Sequence, residues 1–102
     1  MNGEIGRIVW YPKAKTGPKE IIDYIKNDSP QNATKVKSEV FQKISELLKY
    51  PEKYPPDKFK LLNSNNKFRA FEIYRIRISY YVNTNQIMII RIRHTKQEPL
   101  FY

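Results

Sequence analysis

The hydrophobic repeat of this chain changes from helical to alternating near its middle, and the change restricts the kind of fold that the chain can adopt. Between residues 18 and 51 the apolar residues recur at intervals of three or four, as in "ATKVKSEVFQKISELL", which is the period of an amphipathic helix. After residue 67 they alternate with polar residues, as in "IRISYYV", which is the period of a half-buried strand. A helical region followed by a region of strands is typical of an α+β fold.

Local signals complete the predicted order of elements. "EIGRIVWY" alternates and ends before Pro12, which predicts a first strand. Pro18 opens a short helix in "TGPKEIIDYIKND", and Ser29 is the expected N-cap of a second helix that Pro51 ends. After a Pro- and Asn-rich connection we expect either one long bent strand or two strands with a kink near Tyr74, and then a last strand, "QIMIIRIRH". The predicted fold is α+β, in the order β-α-α-β-β-β, with a helix hairpin packed on one face of a mainly antiparallel sheet.

Length and composition limit the functional classes. A chain of 102 residues is long enough for one core, so we expect a single domain over residues 1–102. With no cysteine and one histidine, we expect no disulfide, no metal and no cofactor. No apolar run approaches the roughly 20 residues of a membrane helix and the N-terminus lacks the pattern of a signal peptide, so we expect a cytoplasmic protein without membrane contact. The formal charge of +9 favours a polyanion or an acidic protein as partner, and we expect no small-molecule substrate.

The basic residues concentrate in the C-terminal half. From Lys58 to Lys96 there are nine lysines and arginines and a single acid, Glu72, and five of the six arginines of the chain lie there. Arginine binds phosphate through two parallel hydrogen bonds, whereas lysine often serves only solubility. This half is therefore the candidate anion-binding region, with Glu72 as the expected charge partner of a neighbouring arginine. The alternative is a merely soluble basic protein.

Alternation along the predicted strands places most of these arginines on one face of the sheet. The face expected under the helices comprises Tyr74, Ile76, Ile78, Tyr80, Val82, Met88, Ile90 and Ile92. The opposite, open face would then carry Arg75, Arg77, Ser79, Tyr81, Arg91 and Arg93. The same analysis assigns Phe71, Ile73, Ile87 and Ile89 to the open face, which would make it a half-apolar binding groove. The alternative is that the arginine stems simply cover apolar neighbours.

The segment "FRAFEIYRIRISYYVNTNQIMIIRIRHTKQEP" resembles the RelE/ParE superfamily of toxins from type II toxin–antitoxin systems. The resemblance extends to "IVWYPKA", "DYIKNDSPQNA" and "LLKYPEKYP", and so covers nearly the whole chain. It implies a bacterial toxin that a cognate antitoxin keeps inactive. RelE-like members cleave mRNA on the ribosome without a metal, whereas ParE-like members inhibit DNA gyrase and cut nothing themselves.

A metal-free ribonuclease needs an acid or base and cationic groups around the scissile phosphate. The resemblance and the chemistry together give His94 as the acid or base, Arg77 and Arg93 as the phosphate holders and Tyr102 as a further catalytic group. Supporting contacts with RNA are expected from Arg69, Arg75, Arg91, Lys96 and Tyr81.

Three further interpretations remain open. In the first, His94 follows the parity of Ile92 and simply caps the core at the end of a strand. In the second, the chain is a ParE-like, non-catalytic inhibitor of DNA gyrase for which His94 is dispensable. In the third, it is a degenerate module that binds a partner without toxicity. We therefore expect the cognate antitoxin as one partner, and the ribosome with its mRNA, or alternatively DNA gyrase, as the other.

Overall fold

The computed structural model describes residues 6–11, 18–96 and 99–102, without the side chains of Pro18 and Glu20. Within these ranges the elements follow the predicted order, β-α-α-β-β-β. The residues before Gly6 and Pro12, at the two ends of the predicted first strand, lie outside the described ranges. No helix in the described part is long and apolar enough to cross a membrane. The elements are β1 (Arg7–Trp10), α1 (Pro18–Asp28), α2 (Ala33–Glu46), β2 (Phe68–Ile73), β3 (Ile76–Val82) and β4 (Gln86–His94).

The second helix begins four residues later than its predicted N-cap. The backbone N–H of Ser29 donates to the carbonyl of Ile25 (2.8 Å) and so closes the end of α1, and its side chain makes no capping bond. Residues 30–32 then form a short 3-10 turn, and Asn32 is the residue that precedes α2. The predicted cap at Ser29 is therefore wrong, because a helix end already uses that residue. Most members of the predicted apolar stripes are buried, whereas Ile22 and Ala33 are only half-buried; the buried members are Ile21, Ile25, Val36, Val40, Ile44 and Leu47.

The four strands form one sheet in the order β1-β4-β3-β2. β4 lies in the middle, parallel to β1 and antiparallel to β3, and β2 is antiparallel to β3. Between β2 and β3 the chain reverses in a two-residue turn at Tyr74 and Arg75, whose φ angles are 51° and 65°. Positive φ at both central residues is the geometry of a hairpin turn that matches the twist of the flanking strands. The region is thus two strands and not one bent strand, and Arg75 lies in the turn.

A β-bulge in β4 changes which residues face the helices. Ser79 pairs with Arg91, and the next residue of β3, Tyr80, pairs with Ile89, so Ile90 is the extra residue. The bulge reverses which side chains face the helices: before Ile90 the odd-numbered residues of β4 do so, and after it the even-numbered residues do. Ile87 and Ile89 therefore lie fully buried under the helices, and Met88 pairs with Tyr81 on the open face.

The open face is for this reason less apolar than the alternation predicts. Phe71 pairs with Ile78, which is fully buried, and Phe71 itself lies in the core, with Ile73 packed against it. The assignment of Phe71, Ile73, Ile87 and Ile89 to the open face is therefore wrong. Phe71 and Ile73 lie opposite core residues of β3 and face the same way, and the bulge reverses the alternation of β4 at Ile87 and Ile89.

Candidate functional site

Asp57 is the centre of the polar cluster on the open face. Asp57 belongs to the connection between α2 and β2, which runs beside the edge of β2. There the backbone N–H of Asp57 donates to the carbonyl of Phe68 (2.8 Å). The side chain is fully buried, and its hydrogen-bond donors include Nη2 of Arg77 (2.7 Å), the backbone N–H of Phe59 (3.0 Å) and the hydroxyl of Tyr102 (2.6 Å). A buried carboxylate with this many donors is held in one orientation and orients its donors in return.

The protonation states follow from these contacts. Burial alone would raise the pKa of Asp57, but the hydrogen bonds from Tyr102, Arg77 and the backbone of Phe59 outweigh it and hold the pKa below its ordinary value. Burial, and next the hydrogen bond to Asp57, raise the pKa of Tyr102, so its hydroxyl stays protonated and donates. The cluster is therefore an ionised carboxylate between a guanidinium and a phenol.

Both terminal nitrogens of Arg77 are bound by the chain itself. Its Nη2 binds Asp57, its Nη1 donates to Oε2 of Glu72 (2.8 Å), and its guanidinium carbon lies 4.6 Å from the centroid of the Phe59 ring. Only about a tenth of its side chain is exposed. The expectation that Glu72 pairs with a neighbouring arginine is confirmed, and Arg77 already has two carboxylates where a phosphate would have to bind.

Arg91 binds the chain segment that closes the sequence, Pro99–Tyr102, which we call the tail. Its two terminal nitrogens donate to the carbonyls of Leu100 (2.6 Å) and Pro99, and its guanidinium lies 4.5 Å from the centroid of the Tyr102 ring. Burial, and next the nearby charge of Arg93, lower the pKa of Arg91. The tail thus folds over the open face and occupies the donors of Arg91 with backbone carbonyls.

His94 lies on the other side of the sheet. It pairs with Ile76, so it faces the helices, and its Nε2 is 3.8 Å from Oδ1 of Asp28 at the end of α1. Nη1 of Arg75 lies 3.6 Å from the same oxygen, and Nδ1 of His94 accepts the backbone N–H of Lys96 (3.2 Å). The histidine is therefore separated by the sheet from Arg77 and Arg91.

The remaining predicted site residues divide between the two faces. Arg93 pairs with Arg77 and lies on the open face, as does Tyr81, whose ring centroid is 4.8 Å from that of Phe68. Arg69 pairs with the buried Tyr80 and donates to the carbonyl of Tyr54 (2.6 Å), which places it on the helix side. The structure gathers Arg77, Arg91, Arg93, Tyr81 and Tyr102 on the open face, and it places Arg69, Arg75 and His94 elsewhere, with Lys96 exposed beyond the end of β4.

Sequence reasoning missed Asp57, which organises the cluster. A signal was present, since Asp57 is the single acid between Glu52 and Glu72, in a stretch rich in lysine and arginine. An isolated acid in such a stretch is a candidate partner for a distant arginine. In the part of the chain that the structure describes, no three His, Cys, Asp or Glu side chains are grouped as a metal site would require.

The depressed pKa of Asp57 predicts loss of stability in acid. A carboxylate whose pKa is lower in the folded state stabilises the fold above its unfolded pKa, about 3.9, and this contribution is lost as the pH falls through the folded value. Urea unfolding of the wild type and of Asp57→Asn, at several pH values from about 7 to 3, measures it. We expect the difference in stability between the two proteins to shrink below about pH 4. A difference independent of pH would contradict the assigned charge state.

Comparison with known proteins connects this geometry to a family. No curated protein matches the sequence. Among solved structures, a chain described as the chromosomal ParDE toxin–antitoxin system from P. aeruginosa has a similar fold, with a TM-score of 0.60 and 17% sequence identity over 90% of this chain and 97% of that one. The sequence profile of the ParE toxin of the type II toxin–antitoxin system parDE matches residues 8–99. This match spans nearly all of the sequence, and the chain therefore belongs to the ParE family of type II toxins.

Proposed function

We propose that this ParE-family toxin arrests growth by binding DNA gyrase and catalyses no reaction itself. The observation that carries the proposal is the position of His94. It faces the helices beside Asp28, whereas the arginines that a ribonuclease would use lie on the open face. A general acid and the cations that stabilise a scissile phosphate must reach the same phosphate, and here a sheet lies between them.

The occupied arginines support the same conclusion. Arg77 is neutralised by Asp57 and Glu72, and Arg91 is bound to carbonyls of the tail. An RNA phosphate would have to displace contacts that are partly buried and charge-assisted, which costs free energy before any substrate contact is made. The arginines therefore serve to shape the open face, and that face can act as a binding surface without performing chemistry.

The competing function is the ribosome-dependent mRNA endoribonuclease, which the sequence alone favoured. Arg93 and Tyr81 remain on the open face and could contact RNA. That function requires either His94 or another acid to reach the phosphate, and it makes the opposite prediction for the His94 variant.

Short induction of the toxin in cells, with DNA breaks and protein synthesis followed in parallel, tests the proposal. We expect DNA breaks to appear before protein synthesis falls, and His94→Ala to arrest growth as the wild type does. The purified wild type and His94→Ala should inhibit DNA supercoiling by gyrase to the same extent at equal concentration. Lys35→Ala, at an exposed lysine of α2, is the matched control.

The proposal is overturned if mRNA is cut and translation stops first, and if His94→Ala abolishes both while still binding the antitoxin. Antitoxin binding is the control that separates loss of activity from loss of fold.

A further inference from the structure

Three large apolar side chains are exposed where the tail meets the connection between α2 and β2. Leu61 is 70% exposed, Leu62 83% and Phe101 58%. Together with Lys58 and Lys60 we call these residues the loop–tail surface. Adjacent exposed apolar side chains rimmed by polar groups commonly mark a site of protein contact.

This surface is already built in the free protein. The backbone N–H of Leu61 donates to the carbonyl of Tyr102 (2.7 Å), and the N–H of Tyr102 donates to the carbonyl of Phe59 (2.9 Å), so the loop and the tail are paired. The side chain of Asn63 binds both backbone groups of Phe68, at 2.8 and 3.0 Å, and fixes the far end of the loop. A preformed surface binds without the cost of ordering its loop.

The rim of the surface is positively charged. Nζ of Lys58 lies 5.2 Å from the centroid of the Phe59 ring, and Nζ of Lys60 lies 4.8 Å from that of Phe68 and 5.1 Å from that of Tyr102. Residues 58–67 contain no acid. Among the described residues no carboxylate forms a salt bridge with either lysine. The aromatic rings hold the two ammonium groups near the apolar side chains while leaving them free to meet an anion.

The shape favours a chain segment over a small molecule. An open groove of about 1000 Å³ is lined by Leu61, Leu62, Phe68 and Tyr81, together with the polar side chains of residues 63–66. Small-molecule sites are usually enclosed and bury most of the ligand, whereas an open groove of this size can hold several residues of a peptide.

We propose that the loop–tail surface binds an acidic segment of the cognate antitoxin, with apolar side chains of that segment against Leu61, Leu62 and Phe101 and carboxylates at Lys58 and Lys60. The inference rests on one part of the proposed function, namely that the chain is a toxin bound by an antitoxin, and it does not depend on gyrase as the target. A partner that must hold a protein of net charge +9 gains affinity and association rate from acidic residues, and here those residues have a defined place to bind.

The test is the affinity of the purified toxin for its antitoxin, measured by calorimetry. Leu62→Glu introduces a negative charge at the most exposed apolar residue of the surface. We expect it to weaken binding at least tenfold, because it removes apolar contact and repels carboxylates, and to leave the urea midpoint unchanged. Lys58→Glu should weaken binding as well, and less so at high salt. The control is Tyr50→Glu, which places the same charge at another exposed large side chain, 59% exposed, outside the surface.

The inference is overturned if Leu62→Glu binds the antitoxin as tightly as Tyr50→Glu does. It is also overturned if Leu62→Glu keeps its affinity for the antitoxin but no longer arrests growth, since the surface would then serve the cellular target. The binding assay contains no gyrase. An absence of DNA breaks in cells, with the expected loss of antitoxin affinity, would therefore contradict the proposed function and leave this inference standing.

Discussion

Replacing Asp57 with alanine is expected to lower the free energy of unfolding by about 3–5 kcal/mol, a large share of the stability of a domain of this size. The side chain of Asp57 is fully buried and that of Arg77 is 11% exposed, so the substitution leaves a guanidinium with little access to water and one of its two carboxylates missing. It also removes the acceptor of the Tyr102 hydroxyl, which is one of several contacts that hold the tail on the open face. Urea unfolding at neutral pH measures the change.

The chain offers a matched control on the same arginine. Glu72 also binds Arg77, at 2.8 Å, but 48% of its side chain is exposed. Water can replace an exposed carboxylate, so Glu72→Ala should cost less than about 1 kcal/mol. Equal losses for the two variants would show that burial does not control the strength of this network.

Deleting Ile92 is expected to prevent folding, whereas deleting Ile90 should be tolerated with a loss of less than about 2 kcal/mol. Ile90 is the extra residue of the bulge, and without it Ile87, Ile89 and Ile92 keep their places under the helices while Arg91 stays on the open face. Without Ile92, Arg91 and Arg93 become consecutive residues of the strand. Because consecutive residues face opposite sides of the sheet, one of the two arginines must then take a core position. An unpaired arginine in the core costs several kcal/mol, which approaches the whole stability of the domain.

Soluble yield, far-UV circular dichroism and urea unfolding of the two deletion variants measure this contrast. Ile92 belongs to the core and Ile90 does not, so Ile92→Ala, which shortens the core side chain without changing the register, is the control for lost packing. Similar behaviour of the two deletion variants would mean that β4 re-registers freely and that the bulge does not set the faces of the sheet.

The helices and the order of the elements could be predicted from sequence because their signals are local. Apolar residues at helical spacing, and alternation in β3, each determine which side chains are buried without reference to distant parts of the chain. The bulge could not be predicted in this way. Ile87, Met88, Ile89 and Ile90 form one continuous apolar run, and such a run is compatible with either alternation.

The candidate site was only half predictable for a related reason. Alternation placed Arg77, Arg91 and Arg93 on one face correctly, since all three lie on the same side of the bulge. The contacts that determine what these arginines do are non-local. Asp57 and Tyr102 are 45 residues apart, and neither has a sequence neighbour that indicates the other. For His94, the prediction of a residue at the end of the core agrees with its position opposite Ile76.

The order of strands in the sheet has a consequence for synthesis of the protein. β4 lies between β1 and β3, yet it follows both along the chain, so among the described strands β1 has no partner until β4 has left the ribosome. During translation, at about 5–20 residues per second, the helices and the β2–β3 hairpin can form early, but the sheet closes late, through contacts of long sequence separation. A nascent toxin therefore passes through a period in which its finished surface does not exist, and antitoxin that is already present in the cell can meet the toxin as that surface forms.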